Sequence, residues 1–76
     1  MSSHEIIDIP IRDDMIRLGQ LLKLASLVGD GVEAADLIKN GLVLVNGEID
    51  ERRGRQLHDG DTVTVGGETV RINTPK

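Results

Sequence analysis

The stretch Leu37–Asp61, LIKNGLVLVNGEIDERRGRQLHDGD, decides the fold. Lys39 falls in the last turn of a helix, and Gly41 is the residue able to take the left-handed conformation just past its end. Val43 and Val45 share one face of a short strand, and Asn46-Gly47 supplies the positive φ angles of a two-residue turn. Beyond that turn, Arg52, Arg53 and Arg55 place three guanidinium groups within four residues. Gly54 lets the backbone bend and fan them outward, and the planar guanidinium fork suits phosphate. Glu48, Asp50 and Glu51 stand just upstream, so the opposing expectation is a solvated loop whose charges balance.

Toward the N-terminus, Leu18, Leu21, Leu22 and Ala25 recur at helical spacing and turn one apolar stripe to the core. Gln20 and Lys23 fall on the wet side, and Arg17 stands just before this helix or in its first turn. Gly29-Asp30-Gly31 breaks the pattern, and Asp30 is a good N-cap for a second helix from about Val32 to Asn40. Ala34, Leu37 and Ile38 face inward on it, while Glu33, Asp36 and Lys39 face water. Acids at that helix start stabilise its dipole and repel phosphate, so the Gly-Asp-Gly turn reads as structure and not as a phosphate cradle. Ile7, Ile9 and Ile11 alternate as a strand ended by Asp13-Asp14, and Pro10 confines that strand to a sheet edge. Toward the C-terminus, Gln56-Leu57 leads to a turn at Asp59-Gly60. Thr62–Val65 and Thr69–Ile72 then form a hairpin about Gly66-Gly67, with Val63, Val65, Val70 and Ile72 inward. The expected fold is α+β, two helices packed on a small antiparallel β-sheet, in one domain over residues 1–76. Residues 1–14 would be the edge strand and turn, 15–72 the core, and 73–76 a frayed tail.

Seventy-six residues bury only about 60% of the unfolded surface, leaving little volume for a deep cleft. Without cysteine there is neither a disulfide framework nor a thiolate metal site. His4 and His58 lack partners at metal-ligand spacing and read as surface imidazoles. No cofactor is expected. No nucleophile–base set is evident, so the chain is expected not to be an enzyme. No apolar run reaches the roughly 18 residues of a membrane span, and MSSHEIIDIP lacks the pattern of a secretory signal. A cytoplasmic monomer with no membrane partner is expected.

A net charge of −4 argues against indiscriminate nucleic-acid binding, so any anion site must be local. The absence of Phe, Trp and Tyr removes the usual platforms for stacked bases. An RNA partner would therefore be read by folded shape and backbone.

The segments IRLGQLLKLASLV, GVEAADLIKNGLVLVNGE, DERRGRQL and DGDTVTV together resemble the S4-type RNA-binding domain, in particular its small stand-alone bacterial subfamily. The resemblance spans about Met15 to Ile72 and implies an αL motif whose helix pair and following loop face structured RNA. By position it implies RNA contacts from Arg17, Gln20 and Lys23 on the first helix, and from Arg52, Arg53 and Arg55 in the loop. The chain departs from the pattern early in the second helix. Val32, Glu33, Ala34 and Ala35 stand where many relatives carry Arg or Lys, which implies weaker binding or binding within a ribonucleoprotein. The resemblance points to ribosomal RNA or a tRNA-containing complex. Two other readings use the same residues. One is an adaptor that sets the basic face on an acidic protein without RNA. The other is a β-grasp sulfur carrier, disfavoured because the chain ends Asn-Thr-Pro-Lys and not in diglycine.

Overall fold

The computed structural model describes residues 6–75; His4 and Lys76, both named above, lie outside them. Among the described residues, seven strands and two helices follow one another as β1 (Ile6–Pro10), β2 (Ile16–Arg17), α1 (Leu18–Leu24), α2 (Gly31–Lys39), β3 (Val43–Val45), β4 (Glu48–Ile49), β5 (Gln56–Leu57), β6 (Thr62–Val65) and β7 (Glu68–Asn73). The α+β class is as expected. The main sheet has the order β1-β7-β6-β3-β4, and β2 and β5 pair in a separate two-stranded ladder.

The sheet is not wholly antiparallel, because β1 runs parallel to β7. The helix pair allows this. It lies in the connection from β1 to β3, which is long enough to be the crossover that two strands running the same way need. Since β3 is antiparallel to β6, and β6 to β7, strand β3 runs the same way as β7 and so as β1. Pro10 sits in this edge strand, as its missing N–H requires. Ile9 and Ile11 pack against the core, whereas Ile7 stays about half exposed at the edge.

Both helices bury the stripe that their spacing dictates. Leu18, Leu21 and Leu22 from α1 and Ile38 from α2 meet Val43, Leu57, Val63 and Ile72, all fully buried. Burying each such side chain is worth about 1.5–3 kcal/mol relative to leaving it in water. Asp30 caps α2 by accepting from Glu33 N–H at 2.9 Å. At the other end Gly41 takes φ 74°, and Leu42 N–H reaches back to Leu37 O at 3.0 Å. Helix α1 ends earlier than the Gly-Asp-Gly break suggests. Ser26 adopts φ 59° just past it, and Leu27 N–H bonds Leu22 O at 3.0 Å, the same closure made without glycine.

The turns at Asn46-Gly47 and Gly66-Gly67 have the positive φ angles expected of them. The Asn46 side chain adds a clamp, accepting from Thr62 N–H and donating to the Asp61 carboxylate. Strand β7 continues through Asn73, and Thr74 N–H donates to Asp59 at 2.9 Å, so the chain stays tethered into the stretch expected to fray. Among the described residues no helix is long and apolar enough to cross a membrane.

Candidate nucleic-acid interface

The basic loop is fastened to the start of α1 by backbone. Arg17 occupies the N-cap in extended conformation, but a guanidinium has no acceptor to offer the helix. Carbonyls of the loop supply it instead: Leu18 N–H donates to Arg55 O at 2.9 Å, and Gly19 N–H to Arg53 O at 3.1 Å. The β2–β5 ladder continues the join, pairing Ile16 with Leu57 and Arg17 with Gln56. Residues far apart in the chain, Arg17 and the arginine loop, are thereby held side by side. Gln20 Oε1 accepts from Arg17 N–H at 3.2 Å, half of a capping box. With its oxygen so engaged, Gln20 offers an outside ligand mainly its amide N–H groups.

Within the loop the arginines divide. Asp50 is buried, with only 7% of its surface exposed, and its carboxylate collects the donors nearest to it. Oδ1 accepts from Arg52 N–H at 2.9 Å, the geometry of an Asx turn, and from Arg52 Nε at 3.1 Å. Oδ2 accepts from Arg52 Nη2 at 3.0 Å and from Arg55 Nη1 at 2.5 Å. The Arg52 side chain is the main reason that the Asp50 carboxyl lies well below the usual carboxylate range. Desolvation pushes the other way, and the Arg52 N–H and Arg55 add to the lowering. The carboxylate is therefore ionised at neutral pH, and two guanidinium groups share one negative charge. The knot keeps a positive surplus, with Arg52 largely exposed and Arg55 partly buried.

Arg53 stands outside the knot. Its stem crosses α1 over Gly19, and it lines an open concavity of about 680 Å³ together with Arg17, Gln20 and Lys23. Helix α2 provides the opposite wall through Gly31, Val32, Ala34, Ala35 and Asp36. Small side chains keep this wall low, and Val32 is 72% exposed. The side chains of Arg17, Lys23 and Arg53 have no hydrogen bond or ion pair within the protein among the described residues. Three cations that converge on one groove without internal partners are available to an outside anion.

Of the six residues singled out from the sequence, the structure brings Arg17, Gln20, Lys23 and Arg53 together on this groove. Arg52 and Arg55 face a separate depression with Gln56, His58 and Asp61. Three further residues shape the surface. Asp50 ties the loop, Gly19 admits Arg53, and Asp36 is the groove's carboxylate. A glycine inside a helical pattern was a legible sign of close approach at position 19. Nothing in the string separates Asp50 from its neighbours Glu48 and Glu51.

The chain is similar to known proteins over most of its length. The family model of the S4 domain matches residues 9–73, taking in both helices and the loop. A Bacillus subtilis (strain 168) protein, named probable ribosome maturation protein RlbA, is 48% identical over 59 residues. That alignment covers 78% of this chain and 83% of the relative.

Proposed function

The chain belongs to the S4 domain family, and from that premise we propose that it is a non-catalytic module that docks on folded RNA through the α1–α2 groove. The observation that carries this reading is the meeting of Arg17, Lys23 and Arg53 in one concavity, each side chain without an internal partner among the described residues. The guanidinium and ammonium groups contact phosphates, Gln20 donates through its amide, and the low wall of α2 fits against the nucleic-acid backbone. The knot of Asp50, Arg52 and Arg55, with Glu48 and Glu51 lining the same depression, serves chiefly to hold the loop beside the groove. Ribosomal RNA is the preferred partner, supported by a relative whose name assigns it to ribosome maturation; a tRNA-containing complex is the next. The work is that of a cytoplasmic monomer.

Three to four phosphate contacts give a slope of log affinity against log salt of roughly −2 to −3.5. Titration of a folded ribosomal RNA fragment from about 50 to about 300 mM salt measures it, and affinity independent of salt sinks the phosphate mechanism. A protein-only adaptor separates cleanly from this reading, because its complex survives nuclease treatment.

Asp36 gives a second test. It is a carboxylate on the wall of a groove otherwise lined by donors, and it repels incoming phosphate. Asp36→Asn is expected to raise RNA affinity about two- to fivefold at about 0.1 M salt, the scale of one exposed charge at short range. Fluorescence anisotropy reads the change. Equal binding would mean that Asp36 lies away from the bound phosphates, and weaker binding that its carboxylate accepts a charge-assisted hydrogen bond from the RNA.

A further inference from the structure

Gly19 lies within α1 and is buried, a position where alanine would favour the helix. A Cβ there would stand 2.8 Å from Arg53 Cγ and 3.5 Å from Arg53 Cδ. Carbon atoms in contact settle at about 3.5–4.0 Å, so the first distance is a clash. The obstructing atom is not the loose tip of a long side chain. Cγ is one bond beyond Cβ, and the Arg53 backbone is tied to the same glycine by the bond from Gly19 N–H to Arg53 O, 3.1 Å. Leu18 N–H holds Arg55 O at 2.9 Å and pins the loop on the other side. With the backbone held, relief comes by rotation about Cα–Cβ of Arg53, which swings its guanidinium off the groove.

This close fit brings Arg53 no internal partner, since its exposed side chain makes no hydrogen bond or ion pair among the described residues. Arg53 is also the loop arginine that Asp50 does not hold. Resting on the reading of the groove as an RNA surface, we infer that Gly19 is a positioning residue: its missing side chain lets Arg53 lie across α1 and aims the guanidinium at the phosphates met by Arg17 and Lys23. A bare helix face thus does for Arg53 what a buried carboxylate does for Arg52 and Arg55.

A mutant cycle in the full chain tests this against a folded ribosomal RNA fragment. Gly19→Ala and Arg53→Ala are each expected to weaken binding about tenfold, the scale of one charge-assisted hydrogen bond. Each should also flatten the salt slope by roughly 0.7–0.9, one phosphate's share. The double variant is expected to bind no more weakly than Arg53→Ala alone, and to melt no lower than wild type because the clash is gone. Wild-type affinity in Gly19→Ala alongside a weakened Arg53→Ala overturns the inference, as does a double variant in which the two effects multiply. A readout without RNA keeps the two claims apart. Three-bond NMR couplings should show one Arg53 χ1 rotamer in the wild type and a changed or averaged one in Gly19→Ala. An unchanged rotamer overturns the positioning role whether or not RNA binds, whereas a wild type without salt-dependent binding sinks the RNA reading alone.

Discussion

Replacing Arg17, Lys23 and Arg53 together by alanine is expected to lower affinity for folded RNA about 100- to 1,000-fold at about 0.1 M salt, at roughly 1–1.5 kcal/mol for each charge-assisted hydrogen bond removed. The salt slope should flatten at the same time by roughly 2 to 3, because three sites of counterion release disappear. The fold has little to lose. None of the three side chains bonds to another part of the protein among the described residues, and Arg17 contributes to the β2–β5 ladder and the helix start through its backbone. Circular dichroism and the melting temperature should stay near those of the wild type. The natural comparison, removing the whole arginine run of the loop, is a poorer experiment. It takes Arg52 and Arg55 away from a buried Asp50 and unbalances the scaffold together with the surface. Arg52→Ala alone disturbs the scaffold less, since Asp50 keeps the Arg52 N–H and Arg55 as donors, and it should cost far less affinity than the groove triple. Binding by the triple variant at wild-type strength would remove the groove from the mechanism.

That contrast shows where the sequence is informative. The helices, the Asn46-Gly47 and Gly66-Gly67 turns and the edge position of Pro10 are legible because each follows from neighbours a few residues apart. Leu18, Leu21 and Leu22 must share a helix face, and glycine must take the φ angles those turns require. The parallel pairing of β1 with β7 is not legible in this way. It rests on the helix pair lying in a crossover and on two antiparallel steps further along the chain. The site divides along the same line. Lys23 is placed by helical period and Arg17 by standing at the start of that helix, and the structure puts both on the groove. Arg52, Arg53 and Arg55 look alike as a string, yet one carboxylate separates them. Glu48 pairs across the hairpin with Val45, Ile49 with Leu44, and Asp50 N–H bonds Val43 O, which carries the Asp50 side chain inward and leaves Glu51 outside. Asp36 is correctly read as exposed, but its place on the groove depends on how α1 and α2 meet, which no local pattern encodes.

Asp50 should therefore be the residue whose loss costs the scaffold most among the charged groups. Asp50→Ala removes four hydrogen bonds to Arg52 and Arg55 and unlatches the loop whose carbonyls satisfy the first N–H groups of α1. Breaking a buried ion pair costs about 3–5 kcal/mol, and the lower end applies here because the freed guanidinium groups can return to water. For a domain of this size about 3 kcal/mol lowers the melting temperature by roughly 10–20 °C. The pH dependence identifies the cause. The folded state holds the Asp50 carboxyl well below the usual range, chiefly through Arg52, so the unfolded chain takes up the proton first as acid is added. The stabilisation is complete above the ordinary Asp value of about 4 and is lost progressively as the pH falls from there toward the depressed folded value. Urea unfolding of wild type and Asp50→Ala should thus differ most at neutral pH and converge as the pH falls from about 4 toward 2, with Asp50→Asn expected to follow the alanine variant because its amide N–H groups oppose the guanidinium donors. A gap that stayed constant across that range would mean that Asp50 works by packing, and that its charge does not hold the loop.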